Sequence, residues 1–161
     1  MNDKKTLVAY FSHSGNTREI AARIHDITGG DIFEIKSVDL YPDDYNAVVK
    51  QGKKELDAGY IPALKTKLKD ISQYDLVVIG YPNWFNTFPA PVKAFLKEYD
   101  LSGKTIAPFC THEGSGLGRS VADISKLCPK VTVLEGAAFR GSDVKTAKSK
   151  VAEWLKHINV K

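Results

Sequence analysis

The run Ser12-His13-Ser14-Gly15-Asn16-Thr17 sets three hydroxyls and a carboxamide around one glycine. Apolar residues 6–11 precede it, and Ile20, Ala21, Ile24 and Ile27 follow at helical spacing. The run therefore reads as a strand-to-helix turn. Such a turn aims unpaired backbone N–H groups and the positive end of a helix dipole at one spot. Phosphate is the natural guest there. One hydroxyl is enough to cap a helix. Ser12, Ser14 and Thr17 exceed that need, which favours an anion over a plain cap. The run holds no lysine, and its first permanently cationic neighbour is Arg18. Hydroxyls and amides would hold this phosphate with little cationic help.

Two further stretches carry chemistry of other kinds. Tyr81-Pro82-Asn83-Trp84-Phe85-Asn86-Thr87-Phe88-Pro89 crowds aromatic rings behind a β-branched apolar run. Trp84 reads as a stacking ring, and Phe88 serves equally well as ring wall or core. Thr111-His112-Glu113-Gly114-Ser115-Gly116-Leu117-Gly118 is rich in glycine, so its backbone can approach a planar ligand and donate hydrogen bonds. Phosphate cup, aromatic wall and backbone rim together fit a flat heteroaromatic ring on a phosphorylated tail. His112 reads as a polar loop residue, with proton transfer as the alternative, and the sequence names no partner for it. Glu113 reads as solvent-facing.

Several rival sites fail on spacing. Gly114 to Gly118 lack the G-x-G-x-x-G pattern of a dinucleotide loop. Gly103-Lys104-Thr105 precedes a strand, whereas a Walker lysine follows one. Cys110 and His112 are too few ligands for a structural metal. A phosphorylated receiver would need an acidic pair and an aspartate where Ser12-His13 and Tyr81-Pro82 stand.

The elements that must position these loops alternate along the chain. Strands are predicted over 6–11, 31–36, 76–80, 104–110 and 131–134, the last continuing toward 138. Helices are predicted over 15–28, 43–58, 91–98, 117–127 and 142–157, with Ser142 as the N-cap of the last. Residues 60–72 are less regular and read as a loop with a short helix. Strand–helix alternation with nearly continuous apolar strands implies a parallel sheet covered on both faces. In an open sheet of that kind ligands bind beyond the carboxyl ends of the strands, at the switch in strand order. All three loops leave those ends.

The length of 161 residues fits a single domain, 1–161, large enough for a proper core. Apolar content of 43% and charged content of 26% are those of a soluble globular chain. The net charge of +4 is spread along the sequence. Its densest lysines, Lys50, Lys53, Lys54, Lys65, Lys67 and Lys69, lack interleaved aromatics and read as solvated faces, not a nucleic-acid surface. Cys110 and Cys128 form no CxxC and read as buried reduced thiols, consistent with a cytoplasmic setting. Met1-Asn2-Asp3-Lys4-Lys5 followed by an apolar run looks like a secretory leader at first sight. That run stops at Phe11, too short for one, and no stretch is long enough to span a membrane.

The three loops, in this order and after these strands, resemble those of the flavodoxins, and more narrowly of bacterial flavodoxin-like FMN proteins. Gly80-Tyr81-Pro82-Asn83-Trp84 with Pro89-Ala90-Pro91-Val92, and Phe109-Cys110-Thr111-His112 with Gly114 to Gly118, carry the likeness beside the first turn. It implies a flavodoxin-like three-layer α/β sandwich with a five-stranded parallel sheet in the order 2-1-3-4-5. FMN would lie at the switch between strands one and three, a rule for which flavodoxin is itself a standard example. By the same likeness Ser12, Ser14, Asn16 and Thr17, with the amides of His13 and Gly15, would bind the phosphate. Pro82, Asn83, Trp84, Phe85 and Asn86 would flank the isoalloxazine. Thr111, His112, Glu113, Gly114, Ser115 and Gly116 would meet its other side and pyrimidine edge.

Two departures stand out. Related proteins often carry glycine where Glu113 stands, and a carboxylate near the flavin would repel the anionic reduced form and lower its potential. Carrier flavodoxins tend to be acidic, whereas this chain is basic. The resemblance implies FMN-dependent electron transfer to a redox partner protein or a small acceptor. The alternative is an NAD(P)H oxidoreductase acting on quinone-like acceptors. No separate nicotinamide domain fits in 161 residues, so its donor would stack directly on the flavin.

Overall fold

The computed structural model describes residues 5–38 and 41–160. Met1 to Lys4, which open the leader-like start, lie outside the described residues. Five parallel strands form the sheet's main path: β1 (Thr6–Tyr10), β2 (Asp31–Glu34), β3 (Leu76–Pro82), β4 (Thr105–His112) and β5 (Thr132–Val133). Their order is β2-β1-β3-β4-β5, as expected. Side chains alternate between faces with the period of two that a strand imposes. Leu7, Ala9, Val77, Ile79, Ile106 and Cys110 point to one core, with α3 (Ala90–Glu98) and α4 (Ser120–Leu127) over it. Val8, Tyr10, Val78, Ala107 and Phe109 point to the other, under α1 (Asn16–Thr28) and α5 (Lys148–His157). Gly80 has no side chain because the Phe109 ring lies across it, 2.0 Å from where a Cβ would sit.

The outer strand departs from expectation. It is not one run from 131 toward 138 but two pieces, β5 and β6 (Ala137–Arg140), both paired in parallel with β4. The reason lies in β4. Pro108 has no N–H to give to a ladder. Ile106 pairs with Val133 and Phe109 with Ala137, so three steps along β4 face four along the outer chain. Residues 134–136 bulge past the proline, and the Trp154 indole donates to the Glu135 carbonyl at 3.0 Å.

Three helical expectations also shift. The last predicted helix, 142–157, divides into a 3-10 stretch, Gly141–Thr146, and α5. Ser142 caps nothing, and Ala147 holds the N-cap position. Arg23 of α1 explains the division: its guanidinium donates to the carbonyls of Val144 and Lys145, at 3.3 and 2.8 Å. A continuous α-helix would need those acceptors for itself. The fourth helix starts at Ser120, not Leu117. Residues 60–72 form no helix. Leu64 bridges Ser37 in antiparallel fashion, and the Thr66 hydroxyl ties this segment to the end of β2 through the Glu34 carbonyl. The remaining helix, α2 (Tyr45–Ala58), is capped by Asp44, whose carboxylate accepts from the Ala47 amide at 2.9 Å.

Candidate functional site

The turn after β1 is shaped by Gly15, which caps α1 at φ 101°. The Ser12 hydroxyl accepts from the amides of Gly15 and Arg18, at 3.1 and 3.3 Å, and so closes the turn on itself. The amides of Asn16 and Thr17 find no acceptor among the described residues. Those two donors, at the positive end of α1, are free for an anion. Ser14 is exposed beside them. Arg18 is committed to Glu34 at 2.7 Å, and that hydrogen bond holds its guanidinium still more firmly charged. The Thr17 hydroxyl is 1% exposed and shares a 2.8 Å hydrogen bond with the Thr111 hydroxyl. Of the hydroxyl residues in this turn, Ser14 is exposed, Ser12 half-buried and Thr17 buried.

Beyond β3 the chain makes a two-residue hairpin. Trp84 and Thr87 exchange both backbone hydrogen bonds, at 3.0 and 3.2 Å. Phe85 and Asn86 between them lie at φ 58° and 66°, the left-handed pair that Asn-Gly usually supplies. A phenylalanine there costs about 1 kcal/mol, so its surroundings must hold it. Gly52 of α2 leaves room for the rings of Phe85 and Trp84, 3.3 and 3.4 Å from its missing Cβ. Trp84 is half-buried, with Tyr41, Phe11 and His13 set edge-on around it at 5.1, 5.6 and 6.1 Å. His13 is itself fixed, its Nε2–H donating to the Pro42 carbonyl at 2.9 Å.

Asn83 fastens this hairpin to the third loop. Its Nδ2 donates to the Gly116 carbonyl at 2.6 Å, its Oδ1 accepts from the Asn86 amide at 2.9 Å, and its own amide reaches the Thr111 carbonyl at 2.8 Å. Arg119 donates its amide to the Asn86 carbonyl at 2.7 Å. Gly118 permits that approach, since a Cβ there would stand 2.5 Å from the same oxygen. The Asn83 side chain thus serves the protein's own loops.

In the third loop the His112 Nδ1 accepts from the Gly114 amide at 2.9 Å. That bond fixes the neutral ring with its proton on Nε2, which has no partner among the described residues. Glu113 is exposed, as expected, yet its carboxylate is not remote from the first turn. One point at Gly141 would lie 2.2 Å from Glu113 Oε1 and 2.7 Å from Asn16 Nδ2. Arg140 donates to the Glu113 carbonyl at 3.2 Å. The Cys110 thiol reaches the Gly116 carbonyl at 3.2 Å, and burial pushes its pKa up to about 12. Cys128, expected to be buried, is only partly so.

The structure therefore gathers all three loops at the switch between β1 and β3. It adds residues the sequence reading passed over: Arg140 and Gly141, Tyr41, and Gly52. Arg140-Gly141 leaves the carboxyl end of the outer strand, so strand placement alone would have flagged it. Tyr41 and Gly52 carried no local signal. Among the described residues no group of three or more metal-ligating side chains converges, and no helix is long and apolar enough to cross a membrane.

A parallel sheet in the order 2-1-3-4-5, with a strand-to-helix turn of unpaired amides after its first strand, defines the flavodoxin-like class. The chain belongs to the flavodoxin family, whose sequence profile matches residues 5–158. It is 33% identical to a proposed flavoprotein of Bacteroides eggerthii, covering 99% of this chain and 100% of that one, with a TM-score of 0.87. A flavoprotein of Lactobacillus acidophilus, solved in complex with FMN, is 25% identical over 89% of this chain and 98% of its own, with a TM-score of 0.75. The uncharacterized NAD(P)H oxidoreductase YcaK of Escherichia coli is 26% identical over 92 residues, 55% of this chain. The match spans 47% of that relative's length.

Proposed function

We propose that the protein binds FMN at the β1/β3 switch and transfers electrons through it. One observation carries the reading: the amides of Asn16 and Thr17 find no acceptor among the described residues and lie in the same turn as the exposed Ser14, while Trp84 packs on His13 of that turn and Asn83 ties the Trp84 hairpin to the Gly116 carbonyl. This donor set fits a phosphate monoester, and the half-buried indole fits a flat ring. The FMN complex of the Lactobacillus relative supports the choice of flavin. When bound, FMN would supply one- and two-electron redox chemistry. The chain's own residues hold and tune. The turn binds the phosphate, Trp84 and the hairpin orient the ring, and the cross-linked loops limit water. Glu113 and Arg140 set opposite charges on the third loop, and His112 keeps an Nε2 proton available at its start.

We favour a carrier that docks redox partners over an enzyme with its own substrate. The family match supports that choice; the net charge of +4 counts against it, being opposite to that of acidic carriers, and would call for an acidic partner surface. The YcaK likeness supports a second reading, an NAD(P)H oxidoreductase passing electrons to a quinone-like acceptor. Titration with FMN is expected to give a yellow one-to-one complex, and Ser14→Ala to weaken it about 5- to 30-fold. A chain that takes up no FMN defeats the proposal. A steady-state assay with NADH or NADPH and a quinone separates the two readings. The carrier requires slow turnover until a partner reductase is added, and fast turnover without one establishes the enzyme.

A further inference from the structure

A second concavity lies beside the hairpin and includes no residue of the first or third loop. It is a cleft of about 300 Å³ between α2, α3 and α4, with Trp84 and Phe85 as one wall. That volume is at the small end of ligand sites and fits one or two fused rings. Leu56, Tyr60, Phe88 and Leu127 give its lining apolar and aromatic surface. Four charged side chains line it: Glu55, Lys93, Asp123 and Lys126.

The acids are already committed. Glu55 accepts from the Tyr41 hydroxyl and from Gln51. Asp123 accepts from the Thr87 hydroxyl at 2.6 Å and pairs with Arg119 at 3.2 Å. The lysines are not: neither Lys93 nor Lys126 forms an ion pair among the described residues. Lys93 Nζ stands 4.0 Å from the point a Cβ would take at Gly59, on the α2 rim. Arg119 balances Asp123, Glu55 keeps its negative charge on the α2 side, and Lys93 and Lys126 are the two charges of the cleft that no ion pair among the described residues engages. We propose that the α2–α3–α4 cleft is a second ligand site, and that it takes a small aromatic acid, its rings against the Trp84–Phe85 wall and its carboxylate between Lys93 and Lys126. The cleft shares Trp84 and Phe85 with the proposed flavin site but takes nothing from the phosphate turn, so a chain that fails to bind FMN could still bind the acid.

The test is a titration of the ¹⁵N-labelled full chain, with and without FMN, using naphthalene-2-carboxylate as the probe. Saturable shifts are expected at the amides of Gly52 and Gly59. Lys93→Gln with Lys126→Gln should weaken the probe about tenfold while leaving FMN affinity unchanged. The neutral 2-naphthalenemethanol should bind the wild-type chain as weakly as the acid binds that double variant. Leu56→Trp, at a position 37% exposed, fills the cleft and should abolish the shifts. Shifts confined to residues 12–17 and 111–116, equal affinity for the acid and the alcohol, or no saturation would overturn the proposal.

Discussion

Thr17 and Thr111 touch hydroxyl to hydroxyl in the interior, 94 positions apart in sequence. Removing either partner strands the other in a place water cannot reach. Thr17→Val or Thr111→Val is expected to cost about 1–3 kcal/mol each. The double change should cost clearly less than their sum, because it leaves no orphan hydroxyl. Urea unfolding of the four chains closes that cycle, and strict additivity would show that the pair is not coupled. The same residue shows how far sequence reading reaches. The turn was legible because Ser12, Ser14 and Gly15 act on their immediate neighbours. The fate of the Thr17 hydroxyl was not, because its partner arrives only when β4 is laid beside β3. Asn83 follows the same pattern: its place in an aromatic loop is visible in sequence, but its bond to Gly116 exists only in the fold.

At the scale of elements, the strands before the three loops were legible as continuous apolar runs, and the strand order followed from the family likeness. What sequence did not deliver were local breaks imposed from outside the segment. Pro108 divides the strand next to its own, and Arg23 of α1 divides the helix at the chain's end. The hairpin after β3 belongs with these. Asn86 tolerates left-handed backbone but Phe85 does not favour it, so the first half of the turn is held by what docks on it. Asn86→Gly is expected to be neutral or stabilising by up to about 1 kcal/mol, since glycine adopts φ 66° without strain. Gly118→Ala should cost about 2–3 kcal/mol, because a methyl group would press the Asn86 carbonyl and break the Arg119 contact. Chemical denaturation of both variants checks the pair. A silent Gly118→Ala would mean that the hairpin holds its shape without α4.

For the molecule as a whole, buried acids resist ionisation, and burial holds the Tyr81 phenol well above its ordinary range. Burial holds the Cys110 thiol up to about 12, and burial with the Asp31 hydrogen bond holds the Tyr74 phenol up to about 12. Both folded values lie above the unfolded ones, so the folded chain binds these protons more tightly. Their contribution is complete below about pH 9 and is lost as pH rises toward 12. Stability is expected to fall through that window, by about 1 kcal/mol per pH unit for the Cys110 group alone. Cys110→Ala should flatten the fall without removing it, and urea midpoints at stepped alkaline pH would show this. A slope unchanged by that substitution would place the titration elsewhere. The chain's two tryptophans are also divided by its architecture. Trp84 stands at the crevice in a ring of edges, while Trp154 lies beneath the sheet against Phe109 and Phe139. The protein therefore carries two built-in fluorophores with separate allegiances. Quenching of the first reports a ligand against its ring, from either proposed site, and a red shift of the second reports loss of the core, so one emission spectrum can distinguish a chain that has lost its ligand from one that has lost its fold.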